Sequence, residues 1–557
     1  MRHPEPLIPA APGWRTDVDS ADMRPVSVVM CLLLLFGMMT AGPRAQGHAM
    51  PSVAPDSLSR PIGRQDGIGV ARDVEATLSA DVRPLYEQGL ALLHNYVWLD
   101  ASRSFNQVLR MAPNNALAHI GLSYAYDALN LRSMAREQMR AAVASATTPH
   151  ERVHARLRQL EMQAEDAPAE QSLHRAYRTE LDRALQAFAT DAELWLLRGM
   201  AEAAVPGDRG QGSRTASIAY YEHARKLAPD TLAPHHYLAH AYENSGDWRR
   251  ALESASRYAA QAPAVPHAHH MVGHDLRRAG RIDDAIAEFE RADALQRTYF
   301  AREGVAAEAD WHYEHNLDLL GTSYQYTGQL AHASRLLASA FALPSANLVQ
   351  IVNKRQWPLL LRLAGRQDDA LTAARWFTSH PNSVARAIGH IENAHVLLMR
   401  SESAKAAIDA NAALTLLRTR PPGGGLADVP LRLLQGEFFL RQGEHQRGAA
   451  MLLAAVGDAR AGQGPDEWVK ALFMMEWTAT VARETGAWDL AAAVARQMLD
   501  HDAAYGGSHY AMALVEAHGA RPDAALAEFR QARRLWANAD PDFGPRRVID
   551  AALAERH

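Results

Sequence analysis

The 557-residue chain is 48% hydrophobic and 22% charged, ordinary globular proportions that exclude a collagen-like, wholly disordered or polytopic membrane protein. Its 58 Lys and Arg against 63 Asp and Glu give a formal charge of −5, so no general basic field exists to hold phosphates and nucleic acid is not expected as a partner. A single cysteine, Cys31, excludes internal disulfides, CxxC redox chemistry and thiolate zinc sites, while 26 histidines are the compositional outlier.

Between Arg24 and Arg44 the chain carries no charge, and Val28 to Phe36 is strongly apolar. Such a run is the h-region of an export signal, or a membrane anchor if nothing cuts it. Met23-Arg24 supply an ordinary lead, whereas the residues before them, with Asp17, Asp19 and Asp22, are long and acidic for an n-region. Residues 1–45 are therefore expected to be a signal peptide or signal anchor. Residues 46–80, rich in Pro, Ser, Gly and Arg, read as a flexible tether. Export without disulfides points to a periplasmic or secreted protein, touching a membrane only through an uncleaved amino-terminal segment.

From Val82 the residues recur at a period of 34. With Val82 as position 1, Gly89, Ala101, Phe105 and Pro113 fall at positions 8, 20, 24 and 32. Ala116 opens a unit with Leu122, Tyr126 and Ala135 in register; Leu232 opens one with Leu238, Tyr242, Gly246, Ala251 and Pro263. Pro266 gives Val272, Gly273, Gly280, Ala285 and Phe289, and Glu314 gives Leu320, Gly321, Tyr324, Gly328 and Ala333. This pattern resembles the tetratricopeptide repeat (TPR) family over most of residues 82–540. The resemblance implies an all-α solenoid, a right-handed superhelix of helix-turn-helix repeats whose concave groove binds protein or peptide partners. Trp195 to Pro229 matches with Val205 to Arg214 as an inserted loop, and residues 351–380 fit loosely, with Pro358 where a small residue is expected. Pro421-Pro422-Gly423-Gly424-Gly425 reads as a linker, dividing an amino-terminal block, 81–420, from a carboxy-terminal block, 426–557.

The first helix of the Leu232 unit contains His235-His236-Tyr237-Leu238-Ala239-His240-Ala241-Tyr242-Glu243; one repeat later stands His269-His270-Met271-Val272-Gly273-His274. His236 and His240 are four apart, as are His270 and His274, so each pair shares one helical face. In TPR proteins positions 2, 5, 9 and 12 line the concave surface. The resemblance thus places all four imidazoles in the groove with His267 and Glu243, joined by His312, His315 and Asp318 from the next unit. Packed helices lie about 8–10 Å apart, close enough for imidazoles on neighbours to share an ion through bonds of about 2.0–2.1 Å.

His236, His240, His270 and His274 are therefore candidate metal ligands, and Glu243, His267, His312, His315 and Asp318 further groove candidates. A nitrogen and carboxylate set without sulfur suits zinc, copper, nickel or iron over calcium or magnesium. Metal ligation, contact with a peptide or anionic ligand, and plain polar lining all remain open. His119, His235 and His269, at position 4 of their repeats, read as packed, and His390, His395, His509 and His518 as ordinary scattered histidines. Neither HxxxH carries the Glu of HExxH, and no Walker loop, GxSxG elbow or cysteine nucleophile in the mature chain is present. The histidine segments, with Gly89 to Tyr96 and Ala101 to Phe105, also resemble an uncharacterised, mainly bacterial TPR family. The expectation is an exported TPR scaffold with a histidine-lined site for a metal or ligand. The alternatives are a metal-dependent enzyme with Glu243 as acid or base, and a purely structural scaffold.

Overall fold

The computed structural model describes residues 55–203, 207–307, 310–345, 347–462 and 465–554. The expected signal segment and the start of the expected tether lie outside the described residues. Among the described residues there is no strand, and no helix is long and apolar enough to cross a membrane.

Antiparallel helix pairs follow one another along the chain. The first is Arg83–His94 with Trp98–Met111, followed by Ala116–Ala128 with Arg132–Ser145. The pairing rests on volume. A β-carbon at Gly89 would lie 2.6 Å from Phe105 Cε1, and one at Gly273 would lie 2.6 Å from Phe289 Cε1. The bare backbone at position 8 therefore seats the aromatic ring of position 24, and both Phe105 and Phe289 are fully buried. Position 15 closes the first helix in the left-handed region, and Gly246, Gly280 and Gly328 occupy it with φ of 80°, 71° and 76°. In the first unit the same position is Tyr96, with φ 61°.

Pairs that the 34-residue signature does not mark are also present, including Pro149–Asp166 with Gln171–Ala187 and Ser383–Met399 with Ser403–Arg418. The insertion after Trp195 falls between helices Ala192–Met200 and Thr215–Leu227, and its described residues 207–214 carry no helix. Pro421 to Gly425 also connects helices, but it does not divide the array into separate blocks. Ala427, Leu431, Leu434 and Phe438 beyond it share one core with Phe377, Ile388 and Ile391 before it. Further on, the last repeats turn back onto the middle of the array: Trp536 Nε1 donates to the Tyr326 carbonyl at 2.9 Å, and the Asp540 amide to that of Gly328 at 3.1 Å.

Residues 55–80 differ from the free tether expected there. Leu58, Ile68, Ala71, Asp73 and Ala76 are buried. The carbonyls of Gly67 and Val70 accept the amides of Ala264 and Leu232 at 2.9 and 3.0 Å, and Asn95 Nδ2 donates to the Ile68 carbonyl at 2.7 Å. This stretch is a strap laid across the starts of the repeats that carry the histidines. Its composition reads as mobile because the strap is held by backbone groups rather than by a recognisable apolar period.

Candidate metal centre

Three first helices supply the histidines: Ala233–Asn244 carries His236 and His240, Pro266–Arg278 carries His267, His270 and His274, and Trp311–Tyr326 carries His312 and His315. His236 Nε2 lies 2.9 Å from His267 Nε2 and 3.2 Å from His240 Nε2. One ligand nitrogen from each of these three falls within 4.8 Å of the other two, and the same holds for His270, His274 and His315. The four sequence-predicted ligands are thus divided between two triads, each completed by a groove candidate, His267 in one and His315 in the other. The triads adjoin. The His267 and His270 rings are 5.7 Å apart, and His312 stands beside them, 4.6 Å from His267 and 6.5 Å from His270.

The groups behind the rings decide which nitrogen faces inward. His236 Nδ1 lies 2.6 Å from the His94 carbonyl oxygen, which can only accept, so the proton sits on Nδ1 and the Nε2 lone pair faces the triad. Asn316 Nδ2 donates to the Phe289 carbonyl at 3.1 Å, which turns Asn316 Oδ1 towards His270 Nδ1 at 3.0 Å. His274 Nδ1 lies 3.2 Å from Glu243 Oε1, and its Nε2 is buried with no hydrogen-bond partner. Metal-ligating imidazoles are oriented in this way, with an acceptor holding one nitrogen and the other turned to the ion. Glu243 therefore stands behind His274 and belongs to neither triad. Asp318 belongs to neither triad and lines a small pocket beside His315, together with Glu314, Gln350, Asn353 and Lys354.

The electrostatics keep five of these rings neutral. Burial, reinforced by neighbouring imidazoles, holds His236, His267, His270 and His312 well below the usual histidine range. Burial likewise pushes His240 down to about 4, against the opposing charge of Glu243. Neutral imidazole is the ligating form, so no proton has to be displaced from these five before an ion binds.

The histidines do not line an open groove as the resemblance implied. His236, His240, His267, His270 and His274 are all buried, while His312 and His315 are half-buried. The cover over the first triad is Tyr96. Its ring centroid lies 4.7 Å from His236 and 4.9 Å from His267, it stacks on His312 at 5.5 Å, and its hydroxyl donates to the Arg209 carbonyl at 2.6 Å. A tyrosine at positive φ is costly and persists only where its surroundings fix it. The available sequence signal was Tyr96 standing where later repeats place glycine.

No protein-family profile and no curated protein matches this sequence. Similar solved structures include a tetratricopeptide repeat protein from Parabacteroides merdae, at 14% identity and TM-score 0.29, covering 52% of this chain and 97% of that one. Yeast Tom70 is similar at 11% identity and TM-score 0.33, covering 86% and 96%. A monomeric mutant of IFIT1 with Gppp-AAAA is similar at 12% identity and TM-score 0.38, covering 86% and 99%. Superpositions this loose transfer nothing to this chain, whose architecture rests on its own packing of position 8 against position 24 and its turns at position 15. The chain is a TPR-type α-solenoid. In this solenoid the histidine positions of successive first helices meet in one place.

Proposed function

We propose that this TPR-type scaffold binds two transition-metal ions side by side, one held by His236, His240 and His267 and the other by His270, His274 and His315. The observation that carries this reading is the convergence of donor nitrogens within 4.8 Å in each triad, with His236, His270 and His274 each held at Nδ1 by an acceptor and His236 Nε2 facing His267 and His240. A packed core gains nothing from a buried imidazole nitrogen that lacks a partner, as His274 Nε2 does. Three imidazoles per ion suit zinc, copper, nickel or iron. Protein or peptide partners of the scaffold would dock on surfaces other than the histidines, which neighbouring side chains cover. Placement outside the cytoplasm belongs to the same reading and rests on Val28 to Phe36; the mass of the mature amino terminus tests it.

A metal-dependent enzyme is the second reading, favoured by the pocket beside half-buried His315. Catalytic sites with three protein ligands keep one coordination position open, and that pocket supplies room next to it. Metal analysis of the purified full-length protein tests the first reading. We expect two ions in the central triads and their loss in His236→Ala/His270→Ala. A wild-type protein that takes up no zinc, copper, nickel or iron at these histidines refutes both readings.

A further inference from the structure

A second set of metal-type donors stands apart from the central histidines. His150 and His154 lie four residues apart on helix Pro149–Asp166, whose start is fixed by a capping box between Thr148 and Glu151. Both rings turn to one carboxylate oxygen: His150 Nε2 is 3.0 Å and His154 Nε2 2.8 Å from Asp191 Oδ2. Asp191 caps helix Ala192–Met200 with its other oxygen, Oδ1, which accepts the amides of Glu193 and Leu194. The cap fixes the carboxylate and leaves Oδ2 to the histidines. From the strap, Asp73 brings Oδ1 to 3.7 Å from His150 Nε2, and is itself aligned by the Ala76 amide and the Tyr86 hydroxyl. All four side chains are buried, at 2–7% exposure.

We propose that His150, His154 and Asp191 hold a divalent transition metal of the zinc type, with the strap's Asp73 closing in from the side of His150 as the fourth, tetrahedral ligand, which ties the strap to the repeats. Bonds of about 2.0–2.1 Å at tetrahedral angles separate the donor atoms by about 3.3–3.4 Å. Asp191 Oδ2 lies 3.0 and 2.8 Å from the two histidine nitrogens and Asp73 Oδ1 lies 3.7 Å from His150 Nε2, on either side of that value, while His150, His154 and Asp191 each bring a donor atom within 4.8 Å of the other two. Two carboxylates also neutralise a divalent cation, as burial requires. The role is structural, since four protein donors leave no position for a substrate. Alongside it, Thr190 Oγ1 donates to Glu75 at 2.7 Å, a further tie between the strap and the loop before Asp191.

Zinc titration of the full-length His236→Ala/His270→Ala protein, with a chromophoric competitor, isolates this site because that variant removes a ligand from each central triad. One equivalent of zinc should remain, with two nitrogen and two oxygen donors at about 2.0–2.1 Å in X-ray absorption, and adding His150→Ala should abolish it. If His150→Ala does not fold, Asp73→Asn serves, keeping an oxygen for the Ala76 amide while weakening zinc about tenfold or more. No zinc uptake in the central variant, an all-imidazole ligand signature, or an equivalent indifferent to the replacements at His150 and Asp73 overturns the proposal. Failure of the central centre would leave this equivalent in place, so the two outcomes are distinguishable.

Discussion

Asn316 gives the sharpest test of how the central histidines are prepared for metal. Its amide is read in two directions at once, donating to the Phe289 carbonyl and accepting at His270 Nδ1. Asn316→Leu keeps the volume and removes the acceptor. Phe289 lies inside helix Ile282–Glu303, where its carbonyl keeps a helical donor, so the substitution falls mainly on His270. The metal-free protein can move the imidazole proton to Nε2, and metal binding must then reverse that transfer and leave a buried Nδ1–H unpaired. Loss of such an orienting partner weakens metal affinity by about 10–100-fold. That corresponds to about 1.4–2.7 kcal/mol, within the roughly 1–3 kcal/mol expected for one unsatisfied buried donor. Asn316→Asp restores the acceptor and adds negative charge, so its affinity should match or exceed the wild type. Competition titration of zinc or copper against a chelator of known strength reads all three proteins. Unchanged affinity in Asn316→Leu, or equal weakening in Asn316→Asp, would show that Nδ1 orientation does not govern this centre.

Replacing Phe105, which is fully buried against Gly89 and Gly121, by Ala should cost about 3–5 kcal/mol in urea unfolding; a loss below about 1 kcal/mol would deny the seating of ring on backbone. Gly273→Ala places a methyl 2.6 Å from Phe289 Cε1 and should destabilise by about 1–3 kcal/mol. It should also loosen metal at the second triad, because the Phe289 ring lies 5.8 Å from His270; chelator competition would reveal a variant that binds as the wild type does. Burial alone would raise the Glu437 carboxyl, but hydrogen bonds and charge from His395 and Arg441 outweigh it and hold the group at about 2. Its folded value is thus depressed below about 4.5, so its stabilisation is present above that pH and is lost as pH falls towards 2. The loss should reach roughly 3 kcal/mol and should be flattened in Glu437→Gln; superimposable acid-unfolding curves for the two proteins would count against it. Tyr96→Ala removes the ring over the first triad and should speed chelator removal of metal from it without altering the number of ions bound, as stopped-flow absorbance can follow.

The repeats are legible because position 8, position 15 and position 24 each answer to local sterics and leave a mark in sequence. The duplicated His-x-x-x-His is legible for the same reason, since helical spacing alone sets which rings share a face. It marks four of the clustered positions but not their grouping, because His267 and His315 join their triads through packing between helices. Tyr96, the His94 carbonyl and the strap act across long stretches of chain, and no local period announces them. His150 and His154 have no counterpart one repeat away, and the carboxylate they face belongs to the next helix pair. Of the position-4 histidines expected to pack, His269 is buried, while His119 and His235 are half-buried; His119 and His269 make matching contacts. Each spans from a carbonyl six residues back to a side chain nineteen ahead, Gln138 and Glu288 respectively. His509, scattered by its place in the sequence, makes the same pair of contacts, to the Ala503 carbonyl and Glu528.

The tyrosine that takes a glycine's place in the opening repeat has a consequence for the order of events during synthesis. Position 94 is translated 142 residues before position 236, so the lid and the carbonyl that orients His236 leave the ribosome well ahead of any ring they serve. An ion arriving early would find neither triad; one arriving late would find the roof already in place. On the two-ion reading proposed above, loading of the first triad is tied to the moment at which the front of the chain docks onto its middle, and an occupied centre would report that this docking has been achieved.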